Sequence, residues 1–150
     1  MNNAAGNTAA GSNAAGSAAS GSGTGEAGAA KRLLVIDDEV EMMAFVSRVA
    51  TGVGFEVFAT ADPEEFKAKV GSWQPDCCVL DIVMPGADGI ELMGFLAKHE
   101  YRGTIVAISG FSPIYLEAAK KFGQGWQLGV IRTLTKPIRV DELRTVLKAI

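Results

Sequence analysis

The chain has 150 residues, 48% of them apolar, enough for the core of one domain. Its formal net charge of −3 gives no electrostatic case for nucleic acid or an anionic membrane as a partner. No apolar run approaches the roughly 20 residues of a membrane span, and the start lacks the basic and apolar regions of a secretory signal. The two cysteines, Cys77 and Cys78, are adjacent, which fits a reduced compartment and no disulfide framework. Cytoplasm is the expected location.

Residues 1 to about 30 are almost wholly Ala, Gly, Ser, Asn and Thr, with Glu26 as the single charge. Such a segment cannot bury enough surface to offset its ordering entropy, so an unstructured tail is expected, either a tether or inert. Order begins at Lys31. Leu33-Leu34-Val35-Ile36 is a continuous apolar run, as a strand buried on both faces requires, and it ends in Asp37-Asp38-Glu39. A helix follows, with Met42, Phe45, Val46, Val49 and Val53 at helical spacing and Gly52 and Gly54 closing it. Phe55 to Ala59 is a second strand. Asp62-Pro63-Glu64-Glu65 reads as a helix start, with Glu65 three residues after the capping acid. Phe66, Val70 and Trp73 form the apolar stripe of that helix.

Cys77 to Leu80 is the third strand; it delivers Asp81, and Met84-Pro85-Gly86 turns the chain away. Gly89 to about Glu100 is a third helix. Thr104 to Ile108 is a fourth strand ending in Ser109-Gly110, and Ser112-Pro113 opens a fourth helix that Gly123-Gln124-Gly125 weakens or ends. Val130 to Leu134 is the fifth strand, running into Thr135-Lys136-Pro137. Asp141 starts the last helix, in which Val140, Leu143, Leu147 and Ile150 share a side. Five strands alternating with five helices predict an α/β fold, a doubly wound parallel sheet with helices on both faces. In such sheets the site lies beyond the carboxyl ends of the strands. Asp37-Asp38, Asp81, Ser109 and Lys136 all fall at that edge.

Three carboxylates brought together repel one another, and a divalent cation relieves this. Oxygen-only ligands on irregular loops suit magnesium. One carboxylate could then act as a nucleophile toward a phosphoryl group, with Lys136 and the Ser109 hydroxyl on the phosphoryl oxygens. The single histidine, His99, lies on the third helix, away from this edge.

Leu34-Val35-Ile36-Asp37-Asp38-Glu39, Asp81-Ile82-Val83-Met84-Pro85-Gly86 with Asp88-Gly89, Ile108-Ser109-Gly110 and Leu134-Thr135-Lys136-Pro137 together resemble the signature blocks of response-regulator receiver domains. The resemblance covers residues 31 to 150. It implies a flavodoxin-like sheet of order 2-1-3-4-5. It also implies that Asp81 takes a phosphoryl group from a phosphohistidine on a sensor histidine kinase or phosphotransfer protein. Asp38, Asp81 and the Val83 carbonyl would ligate Mg2+, with Asp37 acting directly or through water. Lys136 would pair with the phosphoryl group, and Lys136-Pro137 would be a cis peptide.

Departures from the family pattern carry their own expectations. Thr133 stands where receivers usually carry an aromatic residue, which removes the ring that moves behind the phosphate-bound Ser109 hydroxyl in the familiar switch. Val83 and Phe111 take the positions that flank the phosphoryl group, and their apolar bulk is expected to slow attack by water. Gly123-Gln124-Gly125-Trp126 alters the fourth helix, part of the common signalling face. No sequence follows the fifth helix, so a stand-alone receiver is expected. It would act by docking to a downstream protein or by passing the phosphoryl group on, as a monomer or a phosphorylation-dependent dimer, and not as an enzyme with turnover.

Plainer roles compete for these residues. Asp37, Asp38 and Asp81 could be turn and capping acids, Ser109 a cap, Lys136 a solvated loop residue, and Glu39 a first-turn acid favoured by the helix dipole. Cys77 and Cys78 read as small buried apolar residues on opposite strand faces. His99 reads as a surface helix residue, and Trp73, Tyr115 and Trp126 as packing. Two other functions are weighed. A haloacid-dehalogenase-like phosphatase wants an acid two residues after its nucleophile, where Val83 stands. A phosphorylation-independent pseudo-receiver fits Thr133 but not the complete acidic set.

Overall fold

The computed structural model describes residues 29–84, 87–110 and 113–150. The expected tail lies outside them except for its last two residues. Five strands form one sheet: β1 (Arg32–Ile36), β2 (Glu56–Thr60), β3 (Cys77–Asp81), β6 (Thr104–Ser109) and β7 (Ile131–Thr135). Two short strands, β4 (Val83–Met84) and β5 (Ala87–Asp88), stand apart from it. The helices are α1 (Val40–Val53), α2 (Pro63–Trp73), α3 (Gly89–Lys98), α4 (Pro113–Gly125) and α5 (Val140–Lys148). The sheet order is β2-β1-β3-β6-β7, every pair parallel. With the two short strands set aside this is the expected 2-1-3-4-5, a flavodoxin-like arrangement.

Alternation along the strands divides the core into two layers. Leu34, Ile36, Cys78, Leu80, Ile105 and Ala107 face α2, α3 and α4, where Phe66, Leu92, Met93, Leu96 and Leu116 meet them. Leu33, Val35, Cys77, Val79, Val106 and Ile108 face α1 and α5, against Val46, Val49, Leu143 and Leu147. The central strand β3 is buried throughout, whereas the edge strands β2 and β7 are partly exposed. Burying one such aliphatic side chain stabilises the fold by about 1.5–3 kcal/mol. The cysteines therefore occupy the apolar places expected of them.

Several boundaries depart from the expected ones. Helix α1 passes through Gly52 and ends before Gly54, whose φ of 112° lets its N–H reach the carbonyls of Ala50 and Thr51. Asp62 caps α2 by accepting from the Glu64 N–H at 3.0 Å, but Glu65 does not complete a capping box; it accepts the Thr60 hydroxyl instead. Helix α3 stops at Lys98, two residues early, with Glu100 in the left-handed region. Helix α5 starts at Val140, one residue before Asp141, with the Arg139 N–H donating to Glu142 Oε1. Helix α4 runs on through Gly123 and Gln124 to Gly125. Gly123 serves packing there, because a Cβ would come within 2.9 Å of the Ile131 side chain on β7. Trp126 lies over Gly94 of α3 and stacks on Phe122 at 5.2 Å.

The β4–β5 pair was not foreseen. Val83 pairs with Asp88 and Met84 with Ala87, antiparallel. The chain leaving β3 thus doubles back and delivers Asp88 as the cap of α3, accepting from the Ile90 N–H at 2.8 Å.

Candidate functional site

Each candidate side chain is set by the end of a strand. Asp37 follows β1, and its N–H donates to the Thr60 carbonyl at 3.3 Å, which holds the turn beside β2. Asp81 is the last residue of β3, and the next residue still donates across the sheet, Ile82 N–H to the Ile108 carbonyl at 2.9 Å. Ser109 ends β6 and is fully buried. Its carbonyl accepts from the Lys136 N–H at 2.9 Å, so the lysine leaves β7 beside the serine. The Lys136-Pro137 peptide is cis, as the resemblance implies.

The acids converge. Asp37, Asp38 and Asp81 each offer a carboxylate oxygen, all within 4.8 Å of one another. Asp37 and Asp81 are only 2% and 3% exposed, while Asp38 faces solvent. The Lys136 ammonium lies 3.1 Å from Asp81 Oδ2 and 3.4 Å from Asp37 Oδ2. Backbone donors hold the other oxygens: the Glu39 N–H reaches Asp37 Oδ1 at 2.8 Å, and the Val83 N–H reaches Asp81 Oδ1 at 3.2 Å. Two glycines permit the closeness. A Cβ on Gly89 would sit 2.6 Å from the Asp81 carbonyl oxygen, and one on Gly110 would sit 3.3 Å from Lys136 Cβ.

Burial is the largest influence on both enclosed acids. It pushes the Asp37 carboxyl up to about 6, against the opposing pull of the Glu39 N–H, with the Asp81 charge adding to the rise. It also raises Asp81, with Lys136 opposing. Burial alone would lower Lys136, but hydrogen bonds to Glu39 and Asp81 and the neighbouring negative charges hold it above the ordinary lysine value. The ammonium is thus charged at any physiological pH. A small cation with oxygen ligands fits the donor set: three carboxylates converge, and the exposed Asp38 leaves a side open for water.

The remaining candidates divide. Thr133 sits half-buried on β7 opposite Ala107, and it shares the strand face of Ile131 that packs toward α4. Val83 is half-buried beside Asp81. Phe111 lies outside the described residues. His99 caps the far end of α3 with Nδ1 3.0 Å from the Phe95 carbonyl oxygen. Glu39, which the sequence also offers as a plain first-turn acid, takes part in the site. Glu39 Oε1 stands 2.7 Å from Lys136 Nζ, the shortest of the three ion pairs of that lysine among the described residues. The run Asp37-Asp38-Glu39 is its sequence signal.

The chain matches the family described as the response regulator receiver domain over residues 33–148. Transcriptional regulatory protein TcrA of Mycobacterium tuberculosis is 31% identical over 119 residues, which cover 79% of this chain and 45% of TcrA. Sporulation initiation phosphotransferase F of Bacillus subtilis is 23% identical over 118 residues, covering 79% of this chain and 91% of that protein. The chain therefore spans about half the length of the transcriptional regulators it matches. The crystal structure of a response regulator from Colwellia psychrerythraea superposes with a TM-score of 0.71 at 29% identity, covering 81% of this chain and 96% of that one. The Vibrio cholerae chemotaxis protein CheY4 does so with a TM-score of 0.68 at 26% identity, covering 81% and 98%.

Proposed function

This chain belongs to the receiver-domain family of response regulators, and on that premise we propose that residues 31–150 form a receiver whose Asp81 accepts a phosphoryl group. The donor is a phosphohistidine on a sensor histidine kinase or phosphotransfer protein. The observation that carries the assignment is a nearly buried carboxylate at a strand end, with an ammonium at 3.1 Å and two further carboxylates within 4.8 Å.

The roles follow from the contacts. The Val83 N–H holds Asp81 Oδ1, which leaves Oδ2 beside Lys136 as the attacking oxygen. Lys136 is in reach of the oxygens that gain charge during transfer. The Ser109 hydroxyl, at the neighbouring strand end, donates to one of them once the acyl phosphate has formed. Asp37, Asp38, Asp81 and the Val83 carbonyl would hold Mg2+, which when bound supplies positive charge to the phosphoryl oxygens. Val83, half-buried beside Asp81, restricts the approach of water to the product, and Phe111, two residues after Ser109 in the sequence, is expected to do the same. Output passes by docking to a downstream protein or by onward transfer. Thr133 keeps a second reading in play, a phosphorylation-independent interaction module, because no ring stands there to follow the Ser109 hydroxyl.

The test is incubation with Mg2+ and acetyl phosphate, followed by the mass of the intact protein. One phosphoryl group per chain, lost in Asp81→Asn, is the expected outcome. Rapid hydrolysis of the donor without an adduct would support a phosphatase. Neither adduct nor Mg2+ binding would support the interaction module.

A further inference from the structure

We propose, on the receiver reading above, that Glu39 is the displaceable partner of Lys136: it occupies the ammonium before phosphorylation and yields it to the phosphoryl group. An ammonium has three N–H donors. Among the described residues Lys136 faces three carboxylates, Glu39 at 2.7 Å, Asp81 at 3.1 Å and Asp37 at 3.4 Å. A phosphoryl group arriving on Asp81 brings several new oxygens to the same ammonium in place of the single Oδ2, so they compete with Glu39 and Asp37 for its N–H donors. Asp37 is enclosed, with a side chain 2% exposed, and depends on the nearby positive charge. Asp81 carries the incoming group. The Glu39 side chain is 59% exposed, so water replaces the ammonium on it with little loss.

Glu39 therefore acts as a positioning residue with a cost. It orients Lys136 at the solvent side of the site, and it also competes with, and repels, an anionic donor. With acetyl phosphate the step balances simply. An Asp81 carboxylate oxygen forms the new bond to phosphorus, the bond from phosphorus to the acetyl oxygen breaks, and its electron pair departs on acetate. Removing the Glu39 charge frees the ammonium for that step.

The experiment compares the full chain with Glu39→Gln and Glu39→Asp. Each is given Mg2+ and acetyl phosphate, and adduct formation is followed by intact mass at low and high salt. An exposed ion pair is worth up to about five-fold in rate, so Glu39→Gln is expected to react about two- to five-fold faster at low salt. That advantage shrinks at high salt, where screening weakens the competing pair in the wild type. Glu39→Asp keeps the charge and stays near the wild-type rate, and the melting temperature of Glu39→Gln stays at the wild-type value. A Glu39→Gln rate at or below the wild type, with the wild-type adduct present, overturns the proposal and leaves the receiver reading intact. A wild type that takes no adduct overturns both.

Discussion

Asp37 and Asp81 release their protons into a place water hardly reaches, and this makes the free protein sensitive to pH. The Asp37 carboxyl titrates at about 6 in the folded chain against 3.8 for the free side chain, so the folded state binds the proton more tightly. The sign follows: this group destabilises the fold when ionised, and the penalty fades as pH falls through 6 toward 4. Its size is on the order of 3 kcal/mol. Without metal, the wild type should melt higher at pH 5 than at pH 7.5, relative to Asp37→Asn, whose melting profile should be flatter over that range. At pH 7.5, Mg2+ at a hundred times its dissociation constant should stabilise the wild type by about 2.7 kcal/mol and Asp37→Asn by much less. Calorimetry with and without the ion measures both. At this scale the acids and Lys136 were legible in the sequence because each ends an apolar run. The partner of Glu39 was not, because Lys136 is 97 residues away and only the folded sheet joins them.

Among the elements, two glycines show how position reverses the effect of the same change. Gly71 lies inside α2, and a Cβ there would meet nothing within 4 Å. Gly71→Ala should raise stability by roughly 0.5–1 kcal/mol, because alanine loses less conformational freedom in a helix. Gly89 opens α3, where a Cβ would meet backbone atoms of Asp81 and Ile82 at 2.6 Å. Gly89→Ala should cost about 1–3 kcal/mol and disturb the strand end that carries Asp81. Urea unfolding of both variants checks the opposite signs. The helices and the five long strands were legible from their apolar spacing. The β4–β5 pair was not, because two-residue strands carry no periodicity, and the packing role of Gly123 depends on Ile131 of β7, which no local spacing places against it.

For the molecule as a whole, alternation of strands and helices dictated the parallel sheet, and the core followed from strand parity. The location of the site was equally legible, since ligand edges in such sheets are set by strand direction. Which side chains pair within that edge depends on loop geometry that no spacing encodes. Cys77 and Cys78 are neighbours in the chain, yet they look into opposite layers. Burial pushes the Cys78 thiol up to about 12 and Cys77 higher still, with the adjacent Cys78 and Asp76 adding to the rise of Cys77. Neither thiol should therefore react with a thiol reagent at pH 8 while the fold is intact. Each becomes a clock for its own half of the protein. In Cys78→Ala the surviving thiol times the parting of α1 and α5 from the sheet, and in Cys77→Ala it times the parting of α2, α3 and α4. Equal labelling rates would mean that the halves open in one event, and a gap between them would reveal which half breathes first.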